Sequence, residues 1–264
     1  MGQDIVEIER RGASAWVWMN RPEVHNAFDE HLIAELTQVL RGLDKDASVR
    51  AVVLTGRGKA FSAGADINWM KRQGEASADD NLEDARKLAT LFRVLAELSQ
   101  PTVARVQGAA MGGGMGLAAA CDICVASTQA SFATSEVRLG IIPAVISPYV
   151  VRAIGQRQCY RYFQTAERIG AERALALGLA HELADPDGLD GAVERLVEAL
   201  LACGPQAQAA ATSLIRAVAD KPVDTELIED TAARIAQLRT TAEAREGLSA
   251  FLEKRPPRWG ESLA

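Results

Sequence analysis

The stretch Gly108–Ile123, GAAMGGGMGLAAACDI, carries five glycines in its first nine residues, and Gly112, Gly113 and Gly114 are consecutive. Glycine loses the most backbone freedom on folding, so a run of them has to be required by something that approaches the backbone closely. The run opens directly into an apolar, alanine-rich segment that reads as a buried helix. It is preceded by TVARVQG (102–108) and followed by DICVAST (122–128), each an apolar run of strand length.

Working outward, the same order recurs upstream. VRAVVLTG (49–56) reads as a strand and runs into a second glycine loop, GRGKAFSAGAD (56–66), with a charged helix expected over 81–98. Before it, 4–10 and 13–20 alternate about Gly12 and read as an antiparallel pair. Asp29 is placed to cap a helix over 30–43, where Leu32, Leu36, Val39, Leu40 and Leu43 fall at helical spacing. Strand, helix, strand, helix at this spacing predicts βαβ crossovers and an α/β core. From Pro148 to Leu252 the chain reads as helical, broken at Gly155, Gly170, GLAHELAD (178–185), Pro205 and Pro222. The expected division is a core over residues 1–200 and a helical region over 201–264. The tail EKRPPRWGES (253–262) is expected to be extended, because consecutive prolines forbid helix.

The chain has 264 residues, 48% of them hydrophobic, and a formal net charge of −6. The acidic balance argues against a nucleic-acid partner. No eighteen-residue apolar run suggests a membrane span, and the charged N-terminus has no signal-peptide core, so the cytoplasm is the expected compartment. Cys121 and Cys124 lack a second pair at ligand spacing, and His25, His31 and His181 share none, so no metal is expected.

Two glycine loops that each leave a strand for a helix belong at the carboxyl ends of parallel strands. Free N–H groups at a helix start attract negative charge, and one N–H from each loop makes an oxyanion hole. A phosphate loop fits less well. The GxxxxGK[ST] spacing fails at Val53 and Ala60, and GAAMGGGMG holds no GxGxxG register.

KAFSAGADI (59–67), VQGAAMGGGMGLAAACDICVAS (106–127) and ASFATSEVRLGIIP (130–143) resemble, in order, the motifs of the crotonase (enoyl-CoA hydratase/isomerase) superfamily. NRPEVHNAF (20–28) and AFLEKRPPRW (250–259) match too. The resemblance implies a crotonase (ClpP-like) spiral of βαβ units with a helical C-terminal trimerisation region, assembled as trimers or hexamers. It implies an acyl-CoA substrate, with coenzyme A as part of that substrate and no separate cofactor. The thioester oxygen would be held by the N–H groups of Ala63 and Gly113. Gly64, Ala65 and Asp66 would line the adenine pocket, Val24 and Ala27 the pantetheine side, and Lys254 would stand near the CoA phosphates.

Hydratases of this family usually carry two glutamates. Glu136 matches one and is expected to be the catalytic acid/base; Gly116 stands where the other is usual. A single carboxylate suits hydration of an enoyl-CoA across its 2,3 double bond, or alternatively double-bond isomerisation. PAVISPYVVRAIG (143–155), SEVRLGIIP and Gly116 together resemble the bacterial 3-methylglutaconyl-CoA hydratase-like branch. On that resemblance Gly116 is expected to open room for a branched substrate. Ser135 is a candidate to orient water. Trp69 and Met70 read either as a wall of the acyl pocket or as helix core, and Asp122 reads as structural.

Overall fold

The computed structural model describes residues 4–259. β1 (Val6–Arg11) and β2 (Ser14–Met19) pair antiparallel, with Gly12 at φ +57° in the turn. Asp29 caps α1 (Glu30–Asp44) by accepting the Leu32 N–H at 2.8 Å. Leu32, Leu36, Leu40 and Leu43 lie on its buried face. β3 (Ala51–Gly56) runs parallel to β2, with Val17 opposite Leu54. The loop after β3 leads into α2 (Ile67–Glu75), and the charged helix expected over 81–98 is α3 (Ala78–Ala96), which starts three residues earlier. Asp66 and Ser77 cap these two helices, so the break between them is a second N-cap.

β4 (Thr102–Val106), β5 (Ala109–Met111), α4 (Gly113–Ala120), β6 (Ile123–Ser127) and β7 (Ser131–Ala133) follow. Asp122 accepts the Thr102 N–H and hydroxyl, both at 2.8 Å, and ties β4 to β6. α5 (Ser147–Ile154), α6 (Gln156–Thr165), β8 (Ile169–Gly170), α7 (Ala171–Leu177), β9 (Glu182–Ala184) and α8 (Leu189–Leu201) come next. The chain closes with α9 (Pro205–Val218), α10 (Thr225–Arg239) and α11 (Ala242–Glu253). The expected helical run therefore contains two short strands, both of which add to sheets. α11 stops at Glu253, ahead of Pro256 and Pro257, and the last residues of the expected extended tail lie outside the described residues.

The main sheet has the order β1-β2-β3-β4-β6-β9, parallel except for the β1–β2 pair; β5-β7-β8 form a small second sheet. Successive side chains of a strand face opposite ways. Ala15, Val17 and Met19 of β2 therefore join the core beneath α1 and α3. Trp16 and Trp18 face the other way, in the core that α8 closes with Ala192, Val193 and Val197. α8 buries five residues in this way, whereas α9 and α10 bury none and α11 buries Ala250 alone.

No described helix is long and apolar enough to cross a membrane.

Candidate active site

Four segments lie side by side at the carboxyl ends of β3, β4 and β6. Ser62 N–H donates to Ala109 O at 3.0 Å, and Met111 N–H donates back to Ser62 O at 2.9 Å. Gly112 N–H donates to Ala133 O at 2.8 Å, joining the third segment. The fourth is the loop after β2. Phe28 N–H reaches Gly64 O at 2.7 Å, and Asp66 N–H reaches Phe28 O at 2.8 Å. Asn26 braces that loop: its side chain accepts the Arg21 N–H and donates to Arg57 O and Ala60 O, each at 2.9 Å.

This lacing accounts for the glycines. A Cβ on Gly114 would stand 2.7 Å from Ser62 O, and one on Gly113 would stand 3.0 Å from the Phe28 ring. The close approach at Gly113 that excludes a side chain is made by Phe28. Gly112 has φ +51° and ψ −118°, a conformation that suits only glycine. A Cβ there would also fall 3.2 Å from Glu136 Oε1.

Ala63, Gly64, Ala65, Gly113 and Glu136 line one cavity of about 330 Å³. Its lining is mostly apolar and includes Leu139, Ile142, Val145 and Ile146 from one segment and Trp69, Met70 and Leu88 from α2 and α3. Trp69 and Met70 thus serve as wall, and Trp69 is also buried. A larger groove of about 700 Å³ between α1 and α3 is walled by surface side chains such as Arg41, Lys45 and Arg86 and holds neither glycine loop.

Glu136 opens a short 3-10 turn, Glu136–Leu139, closed by Gly140 at φ +75°. Burial pushes its carboxyl above the ordinary value of 4.5, and its own backbone N–H offsets part of that rise. Oε2 is buried without a hydrogen-bond partner among the described residues. A half-buried carboxyl raised by desolvation, in an apolar cavity, is suited to taking up and returning a proton. Ser135 lines the same cavity.

The expected pair of N–H donors needs one correction. Ala63 N–H is already engaged, donating to His25 O at 2.9 Å. Ala65 is bridged to Phe28 through its neighbours' groups, Gly64 O and Asp66 N–H, so its own N–H turns away from that bridge. Among the described residues neither Ala65 N–H nor Gly113 N–H donates a hydrogen bond. Gly113 is the first residue of α4, where an N–H has no intrahelical acceptor. The two loops touch: a Cβ on Gly64 would lie 3.0 Å from Met111 O and 3.8 Å from Gly112 Cα. Ala63 and Ala65 of the Ala-Gly-Ala turn are alike in sequence, and only backbone pairing shows that the Ala63 N–H is engaged and the Ala65 N–H is not.

Other expected contacts fall outside the cavity. Val24 and Ala27 lie in the loop that positions Phe28, and neither lines it. Asp66 is occupied as a cap, accepting from Asn68 N–H at 2.8 Å and Trp69 N–H at 3.3 Å. Burial pushes its carboxyl up, but those two N–H groups and Arg21 together hold it below the usual carboxylate value. Arg21 also pairs with Asp29 at 3.0 Å. Lys254 ends α11 at φ +54° and does not line the cavity. Nor does Gly116, whose expected open space is filled: a Cβ there would stand 2.8 Å from Ile146 Cβ. Cys121 and Cys124 are buried thiols, both raised by burial, Cys124 to about 12. Among the described residues no cluster of three His, Cys, Asp or Glu is arranged to hold a metal.

The geometry has counterparts among known proteins. Residues 9–262 match the enoyl-CoA hydratase/isomerase family model. The chain is 33% identical to the short-chain-enoyl-CoA hydratase of Clostridium acetobutylicum over 95% of both proteins. It is 30% identical to the crotonyl-CoA hydratase of Syntrophomonas wolfei over 97% of both. The crystal structure of an enoyl-CoA hydratase from Shewanella pealeana superposes with a TM-score of 0.94 at 43% identity, covering 97% of this chain and 96% of that one. The fold is therefore shared along nearly the whole length, and the chain belongs to the enoyl-CoA hydratase/isomerase family.

Proposed function

We propose that the protein is an enoyl-CoA hydratase that adds water across the 2,3 double bond of a CoA thioester. The observation that carries this reading is the meeting of Glu136 with the unengaged N–H groups of Ala65 and Gly113 at one apolar cavity. The thioester oxygen lies between the two N–H groups, and the acyl chain lies against the apolar wall. Glu136 takes a proton from water as oxygen bonds to Cβ, and the double-bond electrons move onto the thioester oxygen as an enolate. The two donors stabilise that charge more than the neutral carbonyl, which lowers the barrier. Glu136 then returns the proton to Cα.

The acyl group we favour is a branched glutaconyl type. Its β-methyl rests on the apolar wall rather than in space left by Gly116. Its terminal carboxylate lies at the cavity mouth, because among the described residues the wall offers no lysine, arginine or histidine. The test offers crotonyl-CoA and 3-methylglutaconyl-CoA side by side, with product identification. Preferential hydration of the branched chain supports the reading. Equal or better turnover of crotonyl-CoA contradicts the branched substrate, and absence of water addition to either contradicts hydration. The single carboxylate also favours a second reading, double-bond isomerisation, which the same product analysis reveals as a shifted alkene.

The assembly we propose is a homotrimer, or two such trimers, built through the C-terminal helices. Ile215, Ile228, Ile235, Leu248, Phe251 and Leu252 are all exposed on α9–α11. Light scattering should give a mass three or six times that of the chain; a monomer contradicts the assembly.

A further inference from the structure

Gly116 and Ile146 compete for the same space. Gly116 is buried in α4, three residues after Gly113 and on the same face of the helix. A Cβ on it would meet Ile146 Cβ at 2.8 Å and Phe92 Cε1 at 2.9 Å, both inside van der Waals contact. The obstacle at Ile146 is a branch point, not the end of a flexible chain. Ile146 is 3% exposed, and its carbonyl accepts the Tyr149 and Val150 N–H groups at 3.1 Å, which fixes it at the start of α5. Phe92 is fully buried, with its ring 5.6 Å from that of Tyr149. Neither neighbour can withdraw without unpacking α3 or α5.

A side chain at 116 would leave the α4 face that carries Gly113 and lean toward the helix N-terminus. That end is where Glu136 Oε1 lies against Gly112. In this chain the flank receives the Ile146 side chain instead, and Ile146 lines the cavity. Among the described residues Glu136 is the one carboxylate in the wall.

We propose that Gly116 and Ile146 act as one packing unit that keeps the flank beside Glu136 hydrocarbon: Ile146 fills the place a side chain at 116 would need, and Glu136 is left the sole proton carrier. The chemical half of this statement rests on the acyl-CoA reading; the packing half does not. One group must then remove the proton from water and deliver it to Cα, so no proton is gained or lost and both additions occur on one face. The flank over the reacting carbons is hydrocarbon rather than a second acid.

The test is a double-mutant cycle of Gly116→Glu and Ile146→Gly, read by Tm and by the pH profile of kcat/KM. Glycine is tolerated at the helix N-cap that Ile146 occupies. Gly116→Glu alone should lower Tm by about 5 °C or more through overpacking. It should also lower kcat/KM by at least about tenfold. Adding Ile146→Gly should restore most of that Tm, and the profile should gain a second carboxylate ionisation. Additive Tm losses, or an unchanged profile in a folded double variant, overturn the proposal. If the glutamate variants do not fold, Gly116→Ala with and without Ile146→Gly reads the same coupling at smaller volume, and additivity there overturns it equally. Loss of all enoyl-CoA turnover in the unaltered protein contradicts the functional reading and leaves the Tm cycle readable.

Discussion

Ala63 donates its N–H to His25 O at 2.9 Å, and this bond removes it from the free donors at the two glycine loops. Tying Ala63 to the loop after β2 holds the Ala-Gly-Ala turn in place. Among the described residues the next N–H but one, that of Ala65, has no acceptor, and neither has Gly113 N–H at the start of α4.

Gly113 offers a clean test of its donor. Proline is accepted at the first position of a helix and has no N–H, whereas alanine keeps it. Either residue adds a Cβ against Phe28, so their difference isolates the hydrogen bond. Gly113→Pro should fall about 10²–10³-fold below Gly113→Ala in kcat on enoyl-CoA hydration. Equal rates would remove Gly113 from the oxyanion site.

Arg21 should matter for folding rather than for chemistry. Its side chain, 15% exposed, pairs with Asp29 and Asp66, which are 14% and 10% exposed. Deleting one partner of a buried pair costs about 3 kcal/mol, or about 6–12 °C in Tm for a chain of this size. Arg21→Leu should show that loss in thermal melts. Normal stability with weakened acyl-CoA binding would instead return Asp66 to the ligand.

Glu136 should destabilise the fold at neutral pH. Its folded-state pKa is raised by burial, so between the ordinary value of 4.5 and the raised one the folded state holds more protons than the unfolded state. Stability therefore falls as pH rises through that window. Glu136→Gln should raise Tm at pH 8, and the gain should vanish below pH of about 4, where both side chains are neutral. A Tm gain that persists at low pH contradicts burial of the charge as its cause.

Residue pattern carried much of this architecture. The β1–β2 pair, the Asp29 cap and the two glycine loops after β3 and β4 all announce themselves locally, through alternation, capping chemistry and backbone demands. The short strands β5, β7, β8 and β9 do not, because two or three residues have no periodicity and exist only through their sheet partners. That Glu136 and Gly113 belong near one cavity was legible from the motif and the glycine run. Ala65 was not, since choosing between it and Ala63 needs the His25 carbonyl, 38 positions before Ala63 in the chain. Gly116 was misread for a similar reason: an empty side-chain position looks like room until Ile146, from another element, is seen to fill it.

The most direct test of the account is the rate of water addition to enoyl-CoA by Glu136→Gln beside the unaltered protein, with acyl-CoA binding measured in parallel. The account predicts a loss of about 10²–10⁴-fold in kcat with binding retained. A variant that keeps most of its rate would contradict Glu136 as the proton carrier.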